Sequence, residues 1–202
     1  MRLYITSIVL FVFFIACKSD PNKQVGEGKI VDNMYYSKEI GWTFKIPEGW
    51  TIIKQEEAKE RSDDGMKLIS EANGVNYDVS GLKHLINLKK DMFHSFSATS
   101  EKFDITYEGE YEETQQYVKE ILHKTYANNG IKVDTFSTVE KIDGIKFDRF
   151  HITMYGPNGN VILHQDLYSK YIKGFDFGVN LNYINDEKRD ELMNAWKNSK
   201  FK

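Results

Sequence analysis

Between residues 132 and 183 the chain alternates long strand-forming runs with short turn signals, and this pattern constrains the fold more than any other feature. Runs at 132–141 and 145–155 flank Asp143-Gly144, a pair that favours the tight turn of a β-hairpin. Residues 156–160 then turn into a run at 161–172, and Lys173-Gly174 turns into a run at 175–183. Four strands joined by short turns must pair with their neighbours, so this third of the chain predicts an antiparallel meander. In the last run Phe175, Phe177, Val179, Leu181 and Tyr183 alternate with Asp176, Gly178, Asn180 and Asn182. One face of the sheet is therefore expected to be buried and the other wetter.

The preceding part of the chain supplies what covers that sheet. Short strands are predicted at 34–37, 42–46 and 50–53, the last two separated by the turn Pro47-Glu48-Gly49. A charged, weakly amphipathic helix follows at 55–71, stopped by Asn73-Gly74. Strands at 82–88 and 92–98 are joined by Lys89-Lys90-Asp91. In residues 110–128, Tyr111, Thr114, Val118, Ile121, Leu122 and Tyr126 recur every three or four positions, which predicts a second amphipathic helix ending at Asn129-Gly130. Asn185 or Asp186 can cap a closing helix whose apolar stripe is Leu192, Ala195 and Trp196. Hairpin-connected strands with three interspersed helices give an α+β fold, a mostly antiparallel sheet with helices covering its faces.

The N-terminus carries an address. Met1-Arg2 precedes an uncharged run from Leu3 to Ala16, and polarity returns at once with Cys17-Lys18-Ser19-Asp20. A basic start, an apolar segment and a small residue before a cut are the parts of an export signal, and the apolar run is shorter than the roughly 20 residues a spanning helix needs. The cysteine directly after Ala16 resembles a lipobox, although Phe14 and Ile15 stand where lipoboxes commonly carry Leu and a small residue. That resemblance implies a signal peptide at 1–16, cleavage before Cys17, and diacylglycerol on its thiol with a further acyl chain such as palmitate on the new amino terminus. Two or more chains make attachment to a membrane effectively permanent. Lys18-Ser19-Asp20 loosely resembles a signal for the outer face of the outer membrane, so the expected location is the cell envelope, at the outer membrane. Residues 17–32 read as a polar tether, and a flexible linker of about 15 residues reaches roughly 20 Å. A single α+β domain then fills 33–202.

Cys17 is the only cysteine, so the exported domain forms no internal disulfide and depends on its core. Hydrophobic residues make up 41% of the chain and aromatics 14%, enough for a packed domain and too much for a disordered one. Net charge is -3 with both signs interleaved, which leaves no basic surface to track phosphates and argues against nucleic acid as a partner.

Three pieces carry a family resemblance: Gly41-Trp42-Thr43-Phe44-Lys45-Ile46-Pro47-Glu48-Gly49-Trp50, the meander around Ile142-Asp143-Gly144, and the terminal Trp196-Lys197-Asn198-Ser199-Lys200-Phe201. Together they resemble the PsbP and Mog type of α/β/α sandwich, over nearly all of residues 34–201. The resemblance implies a fold that hosts photosystem assembly subunits, a regulator of a nuclear-transport GTPase and bacterial lipoproteins, none of which needs an active site. It transfers no functional residue.

There is no G-x-S-x-G elbow, no H-E-x-x-H and no Cys/His set of metal-ligand spacing, so no catalytic residue, cofactor or metal ligand is assigned. Gly26-Glu27-Gly28 is a G-x-G fragment lacking the strand, helix and third glycine of a dinucleotide site. Among His84, His94, His123, His151 and His164, the last two lie on neighbouring predicted strands. In one register they face each other with Asp148 or Asp166 nearby, which suits either a metal site or two hydrogen-bonded sheet histidines. Asp63-Asp64-Gly65 reads as a polar turn or helix break rather than a calcium loop, and Glu108, Glu110, Glu112 and Glu113 as a solvated helix start favoured by the helix dipole. Trp42 and Trp50 suit core packing better than an exposed aromatic platform.

The chain therefore reads as a membrane-anchored, non-enzymatic interaction or assembly module of the cell envelope. Its partners would be the membrane, through lipidated Cys17, and an envelope protein. The alternative is a small-ligand or glycan-binding lipoprotein.

Overall fold

A computed structural model describes residues 20–202. Cys17 and the expected signal at 1–16 lie outside the described residues. The elements are β1 (Lys29–Val31), β2 (Met34–Ser37), β3 (Trp42–Lys45), β4 (Thr51–Ile52), α1 (Gln55–Asn73), β5 (Lys83–Lys89), β6 (Ser95–Lys102), α2 (Glu110–Asn128), β7 (Lys132–Ile142), β8 (Ile145–Tyr155), β9 (Val161–Ile172), β10 (Phe175–Tyr183), α3 (Asp186–Lys197) and β11 (Lys200–Phe201).

They form two antiparallel sheets. The larger runs β4-β5-β6-β10-β9-β8-β7 and the smaller β1-β2-β3-β11. The predicted meander is present: β7 to β10 pair in order, and the turns Asp143-Gly144 and Lys173-Gly174 each place both residues at positive φ, as a two-residue hairpin loop requires. In β10 the odd positions Phe177, Val179, Leu181 and Tyr183 are buried, and the even positions stay partly open.

The main core lies between the two sheets. Trp42, at 0% exposure, packs against Tyr35, Phe44, Phe96, Phe177 and Trp196, so β3, β6, β10 and α3 meet on one aromatic cluster. Trp50 is also buried and donates its Nε1–H to Glu191 at 3.0 Å. Both tryptophans are core residues. On the opposite face of the large sheet, α2 packs Leu122 and Tyr126 against Phe150, Ile152 and Leu167. Helices, large sheet, and small sheet with α3 make an α+β sandwich.

Three expectations need correction. The segment 17–32 is not all tether: a 3₁₀ turn (Pro21–Gln24) and β1 fall inside it, and Ile30 is buried. Asn22 clamps β1 by accepting from the Ile30 N–H (2.6 Å) and donating to its carbonyl (3.2 Å). The glycine fragment at 26–28 is equally integrated, since the Glu27 carboxylate accepts from Ser37 Oγ (2.6 Å) and from the Lys38 N–H (2.8 Å). Second, Asp63-Asp64-Gly65 neither turns nor breaks the helix; it lies within α1, where Gly65 leaves open space beside the backbone. Third, the strand predicted at 92–98 begins only at Ser95 and continues to Lys102, because Asp91 accepts from the Phe93 and His94 N–H groups and prolongs the turn.

Candidate functional site

Two polar constructions interrupt this packing. The first sits on β8 and β9, where the expected histidine pair lies. A one-residue bulge leaves Ile162 unpaired, between Tyr155↔Val161 and Met154↔Leu163. The shift sets His151 opposite Asp166 and Thr153 opposite His164, so the two histidines are diagonal rather than facing, with ring centroids 5.5 Å apart.

Asp166 is at 0% exposure and anchors the group. It accepts from Arg149 Nε (2.8 Å), His151 Nδ1 (2.8 Å) and the Tyr183 hydroxyl (3.0 Å). Burial pushes its carboxyl up, but the His151 hydrogen bond and the Arg149 charge outweigh that and hold it below the usual range. The hydrogen bonds continue from His151 Nε2 to Thr153 Oγ1 (3.0 Å) and on to His164 Nδ1 (3.2 Å). Two proton arrangements satisfy every atom: in both His151 Nδ1 donates to Asp166, and Nε2 either accepts from Thr153, whose oxygen then accepts from His164, or donates to Thr153, whose hydroxyl then donates to His164. Burial, then the neighbouring His151, lowers the His164 pKa.

A hydroxyl, an imidazole and a carboxylate in this order have the chemistry of an activated nucleophile. Acyl transfer would also need free N–H groups aimed at a developing oxyanion, whereas the β8 backbone is committed to ladders with β7 and β9. Both ring nitrogens of His151 are engaged, which leaves no lone pair for a metal, and among the described residues no group of three or more His, Cys, Asp or Glu could hold one. Asp148 is not part of this group; it pairs with Lys119 of α2. What the arrangement does chemically is hold the cross-strand register of a partly buried sheet.

The remaining sequence candidates stay apart from it. Glu110, Glu112 and Glu113 occupy the first turn of α2, and Glu110 accepts from Thr106 as a helix-entry clamp, while Glu108 lies exposed just ahead of the helix. His94 is buried, with Nδ1 on Asp91 at 2.8 Å.

The second construction is a cleft of about 510 Å³ between α1, α2 and the back of the large sheet. Its floor is polar. Asn87, Ser97 and Asn180 lie in one cross-strand row over β5, β6 and β10, and Ser95 and Asn182 form the next, with Asn182 donating to Ser95 Oγ at 3.0 Å. Its roof is apolar: Met66 and Ile69 from α1, Leu122 and Tyr126 from α2. The Tyr126 hydroxyl donates to Gln165 Oε1 (3.0 Å), and burial pushes its pKa up to about 12. Asn87 Nδ2 and Asn180 Oδ1 are buried without a hydrogen-bond partner. A second lobe of about 150 Å³ extends toward Gln115 and Asp176. Burial raises the Asp176 pKa despite hydrogen bonds from Tyr111 (2.9 Å) and Gln115 (2.9 Å).

Sequence reasoning identified the wetter face of β10 and missed the cleft. The available signal was Ser95, Ser97, Thr99, Asn180 and Asn182 on a face that two helices cover, where apolar residues would be the rule.

No protein-family model matches the sequence, and no curated protein matches it. Among solved structures the chain is similar to the cyanobacterial PsbP protein CyanoP from Synechocystis sp. PCC 6803, with a TM-score of 0.53 at 11% identity, covering 84% of this chain and 91% of that one. At that identity the likeness is one of fold, and it agrees with the resemblance carried by the Trp42–Trp50 segment and the terminal helix.

Proposed function

We propose that this protein is a lipid-anchored component of the cell envelope that works as a non-enzymatic docking module, attached through Cys17. The export-type N-terminus and the cysteine after Ala16 support the anchor. Only Lys18 and Ser19 separate Cys17 from Asp20, the first residue of the described domain. Lipid on that cysteine would therefore hold the domain against the headgroups rather than at the end of a long leash.

The observation that carries the docking role is β7. This 11-residue strand is outermost in the large sheet; one edge pairs with β8, and among the described residues no strand pairs with the other. Long open edges are templates for another chain, and proteins usually blunt them with proline, bulges or central lysines. In β7 the lysines stand only near the ends, while Phe136 and Val139, at 50% and 65% exposure, present apolar side chains on either face. Such an edge suits strand addition by a partner, with main-chain hydrogen bonds giving affinity and the flanking side chains giving selectivity.

The test is a photo-crosslinking residue at Val139 in living cells, with Lys67 on the exposed side of α1 as the control position. One discrete adduct at Val139 and none at Lys67 is the expected result. Equal labelling at both positions, or none at either, contradicts the reading.

A further inference from the structure

We infer that the cleft beneath α1 and α2 is a binding site for a neutral, polyhydroxylated small molecule of monosaccharide to disaccharide size. The first support is the pair of orphaned atoms. Asn87 is only 5% exposed, and its Nδ2 has no partner; across Ser97 in the same row, Asn180 Oδ1 has none either. Both residues line the cleft, and because buried polar groups are ordinarily satisfied, an unpartnered donor and acceptor in one cleft wall mark where another molecule's hydroxyls or bound water would complete them once the side chains turn toward it. Strands stand about 4.8 Å apart, so the two amides are about 10 Å apart along the row, a span that a sugar ring with its hydroxyls can bridge.

Charge decides the ligand class. The floor is made of amides and hydroxyls; of the ionic groups beside it, Arg61 pairs with Glu57 (2.7 Å) and Lys119 with Asp148, while Asp176 lies in the smaller lobe, hydrogen-bonded by Tyr111 and Gln115, where burial favours its neutral form. His84 is held toward its neutral form by burial. A charged ligand would enter without a counter-charge, at a high desolvation cost. An acyl chain would bury the open amides against methylene groups and leave them unsatisfied. A saccharide fits both surfaces, with hydroxyl edges toward Asn87, Ser97 and Asn180 and a C–H face toward Met66, Ile69 and Leu122. The volume of about 510 Å³ lies within the range of small-molecule sites.

The composition of the floor is otherwise unexplained. Leucine or valine at Asn87 and Asn180 would pack the sheet against the helices with no orphaned group, and a glycine at position 65 gives up helix propensity while leaving room beside the cleft.

The test is isothermal titration calorimetry on the full chain in a detergent without a sugar headgroup, with maltose, trehalose and N,N′-diacetylchitobiose as probes and palmitate as the contrasting class. Saturable one-site binding of at least one disaccharide is expected. Asn87→Leu and Asn180→Leu should each weaken it about tenfold or more, the equivalent of about 1.4 kcal/mol, while melting at or above the wild-type temperature. Gly65→Leu, which strengthens the helix and crowds the cleft, should do the same. Absence of binding by all three sugars, binding retained in the three variants, or binding of palmitate alone would overturn the inference. It does not depend on the anchor or on β7, so crosslinking at Val139 can fail while this succeeds.

Discussion

Asp166 shows how one buried side chain organises a region. Its carboxylate collects Arg149, His151 and Tyr183, and through His151 its hydrogen bonds run on to Thr153 and His164. The same group makes stability depend on pH. An unfolded histidine titrates near 6.5, whereas burial and His151 lower the folded-state value of His164. Between about pH 7.5 and that lowered value the unfolded chain binds more protons, so acidification destabilises the fold. Asp166 acts lower, because its depressed carboxyl contributes stability above its unfolded value of about 3.9 that is lost only as pH falls through the folded one. Urea denaturation of His164→Gln should therefore show a smaller loss of stability than wild type between about pH 7.5 and pH 5.5. An equal or larger loss would show that His164 is not held neutral. The sequence exposed the histidines and both neighbouring aspartates, but not which aspartate they meet. That choice rests on the Ile162 bulge, and a one-residue shift changes every cross-strand partner.

Among the elements, those with strong periodicity were legible and those stabilised from afar were not. The helices and the four meander strands lie close to their predicted ranges because alternation and Asp143-Gly144 are local signals. β11 pairs with β3 across almost the whole chain and is held by Asp143, which accepts from the Phe201 N–H (2.9 Å) and Lys200 (2.9 Å). β1 was hidden by its polar neighbours. Its hairpin with β2 closes on Asp32-Asn33, both at positive φ, a turn pair whose short polar side chains tolerate that conformation. The clamp from Asn22 makes a prediction at this scale. Asn22→Ala leaves the Ile30 N–H and carbonyl without that partner, at about 1 kcal/mol for a lost bond. Amide hydrogen exchange should speed up across residues 29–31 and stay unchanged in β8 and β9. Unchanged protection of β1 would mean that the segment is held by Ile30 burial alone.

For the whole molecule, the two faces of the large sheet divide the work. The face toward the small sheet and α3 is closed by aromatic packing and carries stability. The face under α1 and α2 is closed only at its β8–β9 side; over β5, β6 and β10 it keeps a polar cleft open. The outer strand β7 leaves a long edge unpaired among the described residues, and those residues begin three positions after Cys17. On the proposed reading, an anchor at Cys17 would present the cleft and the β7 edge close to a membrane. Of these three, only the proposed anchor can be read from consecutive residues, whereas the cleft and the edge arise from strands that meet in space. Cys17 is also the point on which the placement of everything else depends. Intact and peptide mass spectrometry of the protein extracted from its native membrane tests it directly: the mature chain should begin at Cys17 and carry a diacylglycerol and an amide-linked acyl chain. A chain that retains residues 1–16, or one that begins elsewhere with a free Cys17 thiol, would contradict the account.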